Sequence, residues 1–586
     1  YHVIMYIAVQ PIEMIDTGGN NKKTDDHPVA EAVWPTRGTG AARRRADKKE
    51  KMGRAGVVLM ACVLTLPLLV LLLGGRGGAP AVWQNAAKLT AMCGGSVNVS
   101  GPRPSATGAD ELFGGLLAAG SDRRTCRSRY ESPRYYKHSP YTASPHLLQK
   151  LRDYEARHKK CGPGTPQYAE SIASLRSGSS NTEAAECRYL VWLPYNGLGN
   201  RMLSLLSTFL YALLTDRVLL VRSTADFTDL FCEPFPGATW NLPPDFPVAN
   251  MSWLGVQSDE SYGNLLRHGK ISNRPETAAS QAVPPYVYAH LAHGLRVTDQ
   301  LFYCNDDQVV LGKVTWLLLQ NDLYYVPLLY DIAEFEDELR RMFPAKESVS
   351  HFLARYLFHP SNSVWGMVTR YYGSYLAHAE ERIGVQVRMF PFATIPADDM
   401  YKQIMACSRQ EGILPQIDDE LAEPGNATSA VGAASSKAIL VVSLHADYYE
   451  RIKRTYYEHA AAKGGGSVGV FQPSHEERQQ RGQRSHNQKA LAEIYLLSFS
   501  DVLLTTGMST FGYMSSSLAG LRPTMLAVAN DQKVPETPCV RAASMEPCCH
   551  LMNFNVKCRG KAVDKEDLAR HVKVCEDLPR GIKLVD

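Results

Sequence analysis

Residues 188–221 read RYLVWLPYNGLGNRMLSLLSTFLYALLTDRVLLV, and this stretch decides the fold. RYLVWLP (188–194) is rich in Val, Leu, Tyr and Trp, residue types that suit a pleated, buried strand. Asn196-Gly197-Leu198-Gly199-Asn200-Arg201 follows as a glycine turn. From Arg201 to Leu214, Leu203, Leu206, Leu210 and Leu213 recur at three- and four-residue steps, which predicts a helix. RVLLV (217–221) reads as a short buried strand. Strand, glycine turn, helix and strand form the unit from which open parallel sheets are built.

The second half of the chain repeats this grammar. IGVQVR (383–388), AILVVSL (438–444), DVLLTT (501–506) and RPTMLAV (522–528) read as strands. GMSTFG (507–512) turns into a helix, YMSSSLAGL (513–521). Ser485 is expected to cap a further helix, with Gln488 completing a capping box and Leu491, Ile494, Tyr495 and Ser498 continuing one face. LAEPGNATSAVGAASSK (421–437) is an expected flexible insertion, and no 20- to 50-residue repeat is present. The expected architecture is α/β: two Rossmann-like αβα domains facing a cleft, with the ligand at the carboxyl ends of the strands.

With 586 residues the chain has room for two to four compact units plus extensions. Its 45% hydrophobic and 21% charged residues are those of an ordinary globular protein. A formal net charge of +4 argues against a nucleic-acid binder, which concentrates a basic face. Ala55 to Leu73 carries no charge over 19 residues, about enough helix to cross a bilayer. Arg43, Arg44, Arg45, Lys48, Lys49, Lys51 and Arg54 precede it, while the first basic residues beyond are Arg76 and Lys88. That asymmetry keeps the N-terminus cytosolic and sends the rest across the membrane. A cleaved signal peptide is the other reading, but the apolar run is long and no clean A-x-A site follows it. The chain opens on Tyr1, and Met52 is a candidate start that would leave a shorter basic flank.

The expected organisation is a cytosolic tail (1–54), an anchor (55–73), a Gly/Ala/Ser/Pro-rich stem (74–125), an N-terminal domain (126–375) and a C-terminal domain with a cysteine-rich tail (376–586). Twelve of the 13 cysteines follow the anchor. Cys539, Cys548, Cys549, Cys558 and Cys575 crowd the last fifty residues and read as disulfides of an oxidising compartment. Cys548 and Cys549 are expected to pair with different partners among the other three. A zinc site helped by His550 is the alternative, but C-x2-C spacing is lacking. Sequons at Asn98, Asn250 and Asn426 fit the same compartment.

Three segments carry candidate chemistry. The turn at Gly197, Gly199, Asn200 and Arg201 presents backbone N–H groups at a helix mouth, suited to an anion or a sugar hydroxyl. Met202 stands where a dinucleotide fingerprint has glycine, and no Walker A lysine follows, so neither a dehydrogenase nor a P-loop enzyme is favoured. A tight turn that simply needs glycine is the plainer reading. Arg388 ends an apolar strand, where a guanidinium grips a pyrophosphate with two parallel bonds. It reads equally as an exposed strand-end arginine. Ser509-Thr510-Phe511-Gly512 between strand and helix suits a phosphate cradle or simple N-capping. The pairs Asp306-Asp307, Asp398-Asp399 and Asp418-Asp419 are read as solvated turn residues, so no metal is expected.

Together, NGLGNRMLSLLSTFLYALLTDRVLLV, LFHPSNSVWGMVTRYY (357–372), IGVQVRMF (383–390) and SHNQKALAEIYLLSFSDVLLTTGMSTFGYMSSSLAGLRP (485–523) resemble the plant xyloglucan fucosyltransferase family. The resemblance runs from about Tyr130 to the C-terminus. It implies a variant GT-B-like fold, a GDP-fucose donor, no cofactor, and inverting transfer that forms an α-1,2 link to galactose. It implies that Arg388 contacts the donor pyrophosphate, and that His486, Asn487, Ser509, Thr510 and Phe511 contribute to the nucleotide pocket. It places Gly197 to Arg201 at the cleft and singles out Asp322, in LLLQNDLYYVP (317–327), for activating the acceptor hydroxyl. Asp322 also reads as a polar turn residue beside Asn321. The implied location is the Golgi membrane, single-pass type II with a lumenal catalytic domain. The implied acceptor is a galactose-containing polysaccharide, xyloglucan foremost, with an arabinogalactan proteoglycan as the alternative. A non-catalytic glycan-binding protein on the same fold is the rival of another class, and a protein O-fucosyltransferase a further one. The reading leaves room for a homodimer.

Overall fold

The computed structural model describes residues 112–586 apart from 119, 121, 137–139, 179–185, 279, 293, 418–435, 463–465, 481, 530–532, 551–556, 559–560 and 563–569. The expected tail and anchor, most of the stem, Asn98, Asn426 and Asp418-Asp419 lie outside the described residues. Among the described residues no helix is long and apolar enough to cross a membrane.

Two parallel sheets organise the chain. The first contains β1 (Tyr189–Leu193), β2 (Val218–Val221), β3 (Tyr286–His290) and β4 (Trp316–Gln320) in the order β2-β1-β4-β3. The second contains β5 (Glu381–Val387), β6 (Ser436–Ser443), β7 (Ser467–Phe471), β8 (Val502–Thr506), β9 (Thr524–Leu526) and β10 (Cys539–Arg541) in the order β10-β9-β8-β5-β6-β7. Only β10 runs antiparallel to its neighbour. All of β1 and β2 is buried, as expected of central strands covered on both faces.

The helix after β1 spans Leu198–Leu214 and begins inside the glycine turn, earlier than the apolar spacing suggested. Nearly its whole circumference is buried, not one stripe. It touches β1, β2 and five further helices, Val349–Leu357 and Thr510–Ala519 among them, so its polar Ser204, Ser207 and Thr208 are internal as well. They are satisfied locally: Ser207 and Thr208 donate to the carbonyls of Leu203 and Ser204 at 3.0 and 2.7 Å.

Several expectations need correction. The folded body starts before Cys126: Leu116 and Leu117 join the core, and Arg129 donates to the Ala118 carbonyl at 2.9 Å. Ser485 caps nothing. Its helix runs Arg484–Ser498 with Gln483 as N-cap, so Ser485 and Gln488 lie inside it and no capping box forms. Asp306 and Asp307 lie in the first turn of a helix, Asn305–Lys313, where acidic side chains complement the helix dipole. Asp307 is buried, not solvated, and accepts from Tyr262 at 2.5 Å and Asn273 at 3.1 Å. Burial pushes its pKa up to about 6. Asp398 and Asp399 likewise begin a helix, Ala397–Glu411, with Asp398 exposed and paired with Arg451.

The cysteine pairing agrees for Cys548, which joins Cys575, and differs elsewhere. Among the described residues the disulfides are Cys126–Cys232, Cys161–Cys187, Cys304–Cys558, Cys407–Cys539 and Cys548–Cys575. The C-terminal cluster is therefore not self-contained, and buried Cys549 is in none of these bonds. Cys558 returns to the first half of the chain, and Cys539 at the sheet edge joins the Ala397–Glu411 helix. The grouping of Cys548, Cys575 and Asp577 has the reach of a metal site, but its two sulfurs are bonded to each other.

Candidate active site

In an open α/β sheet, ligands bind where the strand order reverses, outside the carboxyl ends. In the first sheet that point lies between β1 and β4. The Asn196–Arg201 turn follows β1, and Asp322 follows β4 by two residues. The structure joins them. Asn196 Nδ2 donates to Asp322 Oδ2 at 2.5 Å, and Asn200 Nδ2 donates to the Asp322 carbonyl at 3.0 Å. Asp322 is 4% exposed, so this polar residue is buried where the two segments meet. Asn196 supplies the left-handed step of this turn (φ 63), a conformation Asn tolerates better than most residues.

In the second sheet the reversal lies between β5 and β8. Arg388 directly follows β5, and Gly507 to Ser509 directly follow β8. Arg388 N donates to Thr506 Oγ1 at 2.9 Å, which fixes the strand end, and Arg388 Nη2 donates to Gln479 Oε1 at 3.1 Å. The arginine is half-buried. Ser509 is the N-cap of the Thr510–Ala519 helix but makes no side-chain capping bond, so plain capping does not account for this segment. His486 lies in the first turn of the Arg484–Ser498 helix. Burial lowers its pKa, opposed by the Glu476 carboxylate and reinforced by the cations of Lys489 and Arg388. The imidazole therefore sits within the field of Arg388.

Three contacts close the two halves on each other. Thr510 Oγ1 donates to Asn200 Oδ1 at 3.2 Å. Gln479, which holds Arg388, also approaches the turn: a Cβ on Gly197 would lie 3.2 Å from its Nε2. Arg201 Nη1 reaches Asp226 Oδ2 at 2.7 Å, while Asn487 Nδ2 donates to the same oxygen at 3.1 Å and to the Asp226 carbonyl at 3.0 Å. Burial raises the Asp226 pKa, but Arg201 and Thr224 outweigh it and hold the carboxyl below its usual range. Arg201 and Asn487 thus tie the halves together through Asp226, while Phe511 lies half-buried beside Thr510.

These contacts gather Gly197, Gly199, Asn200, Arg201, Asp322, Arg388, His486, Asn487 and Thr510 into one cluster, with Ser509 and Phe511 on either side of Thr510 in the chain. Asn250 is not among these residues. It is exposed, with left-handed backbone (φ 54), and precedes a short 3-10 turn, Met251–Trp253, a placement open to a glycan. Sequence reasoning missed Asp226 and Gln479, which carry no local motif.

Two parallel sheets presenting polar groups from facing switch points define a GT-B-like glycosyltransferase. Comparison with known proteins narrows the class. The profile described as xyloglucan fucosyltransferase matches residues 87–559. The chain is 46% identical over 479 residues to the galactoside 2-alpha-L-fucosyltransferase of Pisum sativum, covering 81% of this chain and 82% of that protein. It is 45% identical over 478 residues to the protein of the same name from Arabidopsis thaliana, covering 81% and 83%. Its fold is similar to that of an arginine-to-lysine mutant of Arabidopsis thaliana FUT1 in complex with GDP. The TM-score is 0.74 at 44% identity, with 81% of this chain and 100% of that chain covered. The chain belongs to the xyloglucan fucosyltransferase family.

Proposed function

We propose that this chain is an inverting galactoside 2-alpha-L-fucosyltransferase. It moves L-fucose from GDP-fucose to the 2-hydroxyl of a galactose on a cell-wall glycan, xyloglucan first. The observation that carries the reading is the contact between the two switch points, with Thr510 bonded to Asn200 and Asn200 bonded to the Asp322 carbonyl. It sets a permanent cation and a helix N-terminus opposite a buried carboxylate, in a family whose relatives carry this activity in their names.

The galactose hydroxyl attacks the fucose anomeric carbon from the face opposite GDP. The bond from that carbon to the β-phosphate oxygen breaks. Positive charge grows on the sugar and negative charge on the phosphate. Arg388 meets the phosphate charge with a planar fork of N–H donors, and the first turn of the Thr510–Ala519 helix adds backbone N–H groups. His486, Asn487, Ser509, Thr510 and Phe511 line the nucleotide side. Asp322 takes the acceptor proton, oriented by the Asn196 amide. No divalent metal is needed, because the diphosphate charge is met by side chain and backbone.

The same reading places the enzyme in the Golgi membrane, type II, with 112–586 in the lumen and room for a homodimer. Disulfides between buried cysteines support an oxidising compartment. The test is to incubate the protein with labelled GDP-fucose and a panel of galactosylated glycans. Label on xyloglucan that an α-1,2-fucosidase releases supports the proposal. Label on arabinogalactan instead moves the acceptor, and label on no glycan sinks the reading. Protease added to sealed Golgi vesicles should spare the large domain until detergent is present.

A further inference from the structure

Glu546 and Asp577 have no part in the chemistry above, yet they contact the segments that carry Asp322 and Ser509. On the donor side, Met508 adopts left-handed backbone (φ 61), a conformation a non-glycine residue keeps only when its surroundings impose it. Asp577 imposes it. Met508 N donates to Asp577 Oδ2 at 2.7 Å, and the Tyr513 hydroxyl donates to the same oxygen at 2.5 Å. A Cβ on Gly507 would lie 2.9 Å from the Asp577 Cβ, so the carboxylate sits directly against the loop that follows β8.

On the acceptor side, Glu546 is 1% exposed. Its Oε1 accepts from Ser350 N at 2.7 Å, and its Oε2 accepts from the hydroxyl of Tyr324, two residues beyond Asp322. One disulfide links the two segments that carry these side chains. Cys548 lies two residues after Glu546, Cys575 lies two before Asp577, and they form a disulfide. The chain around that bond is held tightly. Cys549 and Ile582 exchange backbone bonds at 2.8 and 3.2 Å, and Cys575 N donates to the Gly581 carbonyl at 3.0 Å. Gly581 admits no side chain, since a Cβ there would lie 2.3 Å from Cys548 Sγ and 3.0 Å from Cys575 Sγ. Lys583 Nζ then binds the Ser544 carbonyl at 3.1 Å and Glu576 at 3.2 Å.

We propose that this C-terminal tail is a strut that sets the donor-side loop and the Asp322 segment relative to each other. Asp577 is the positioning residue for residues 507–510, Glu546 is the positioning residue for residues 321–325, and the Cys548–Cys575 bond couples the two. The functional meaning of its two ends rests on the donor and acceptor roles proposed above. The physical basis is that each acid side chain accepts two hydrogen bonds at a buried position, and removing it would leave those donors unpaired. The disulfide denies the two carboxylates independent motion.

The test compares backbone hydrogen exchange in the intact protein with GDP affinity and turnover, for wild type, Asp577→Ala, Asp577→Asn, Glu546→Ala and the double variant Cys548→Ala/Cys575→Ala. Asp577→Ala should speed exchange at 507–510 and weaken GDP binding, each on the order of tenfold, while 321–325 stays unchanged. Asp577→Asn keeps an acceptor oxygen and should recover most of both, and it stands in for the alanine variant should that fail to fold. Glu546→Ala should speed exchange at 321–325 and lower turnover at unchanged GDP affinity. The double variant should loosen both segments together. Variants that only melt earlier, with wild-type exchange at both loops and wild-type GDP affinity, would overturn the strut. If the wild type binds no GDP and transfers no fucose, the functional reading fails, and the exchange pattern of the unliganded protein still decides the strut.

Discussion

Thr510 and Asn200 meet across 310 positions of sequence, the threonine hydroxyl donating to the asparagine carbonyl oxygen at 3.2 Å. Each residue stands in the first turn of a helix that leaves a switch point. The two helices also pack on each other, so the contact joins rigid elements and not two loose loops.

That close approach explains Gly199. A Cβ there would lie 2.4 Å from Thr510 Oγ1, 2.9 Å from its Cβ and 3.1 Å from its backbone carbonyl carbon. Gly199→Ala should therefore push the helices apart, lowering stability by about 1–3 kcal/mol. Turnover should fall more than stability does, because the Asn200–Asp322 geometry moves with the turn. Thermal melting beside fucose transfer checks it, and an alanine variant with wild-type values in both would show that the halves slide freely.

Arg388→Ala should remove a stabiliser of charge that grows in the transition state. Losing one such group costs roughly a hundred- to a thousand-fold in rate. Arg388→Lys should recover only part, since an ammonium keeps the charge but not the fork. GDP binding should weaken in step, because the product diphosphate uses the same contact. The comparison is turnover and GDP affinity, with folding followed by circular dichroism. A folded alanine variant of near-normal activity would require the donor site to be relocated.

Glu493 gives the protein a pH-dependent element. It is 8% exposed and accepts from Ser474 at 2.6 Å. Burial raises its pKa from 4.5 to about 8, the Ser474 bond opposing only partly. The folded state then binds a proton that the unfolded chain has released. Its contribution to stability is complete below pH 4.5 and is lost as pH rises towards about 8. Glu493→Gln should remove that slope, gaining on the wild type as pH rises. Denaturant midpoints at pH 5 and pH 8 test it, and parallel behaviour of the two proteins would refute it.

Transfer should continue in EDTA. The phosphate charge has Arg388 and a helix N-terminus to meet it, and the candidate metal grouping among the described residues has its sulfurs in a disulfide. Activity abolished by chelation and restored by Mg²⁺ or Mn²⁺ would contradict the expectation.

Peptide mapping without reduction should recover Cys304–Cys558 and Cys407–Cys539 as linked pairs. Bridges confined to the last fifty residues would instead favour the pairing that cysteine crowding suggests.

The legible parts of this protein are those whose cause is local. Alternation, apolar runs and glycine position identified β1, the turn, the helix after it and most strands of the second sheet, because strand and helix periods need only neighbouring residues. Arg388 and Thr510 were legible as candidates for the same reason: each ends or follows a strand. Local rules also misled. Ser485 with Gln488 has the form of a capping box, yet the helix starts one residue earlier, with Gln483 as its N-cap.

Asp226, Gln479, Glu546 and Asp577 were invisible in the sequence. Each is an acidic or amide residue in a loop with no period, and its partner comes from elsewhere in the chain: Arg201, Arg388, Tyr324 and Met508. The sequence by itself determined the elements, the order of the strand–turn–helix units and the family resemblance, since these reside in short-range pattern. Only the tertiary structure decided that β1 pairs with β4 and β5 with β8, that the two switch points touch, and that Cys558 returns to Cys304. The physical reason is that pairings across hundreds of residues are selected by the packing of the whole core, and no short window of sequence contains that information.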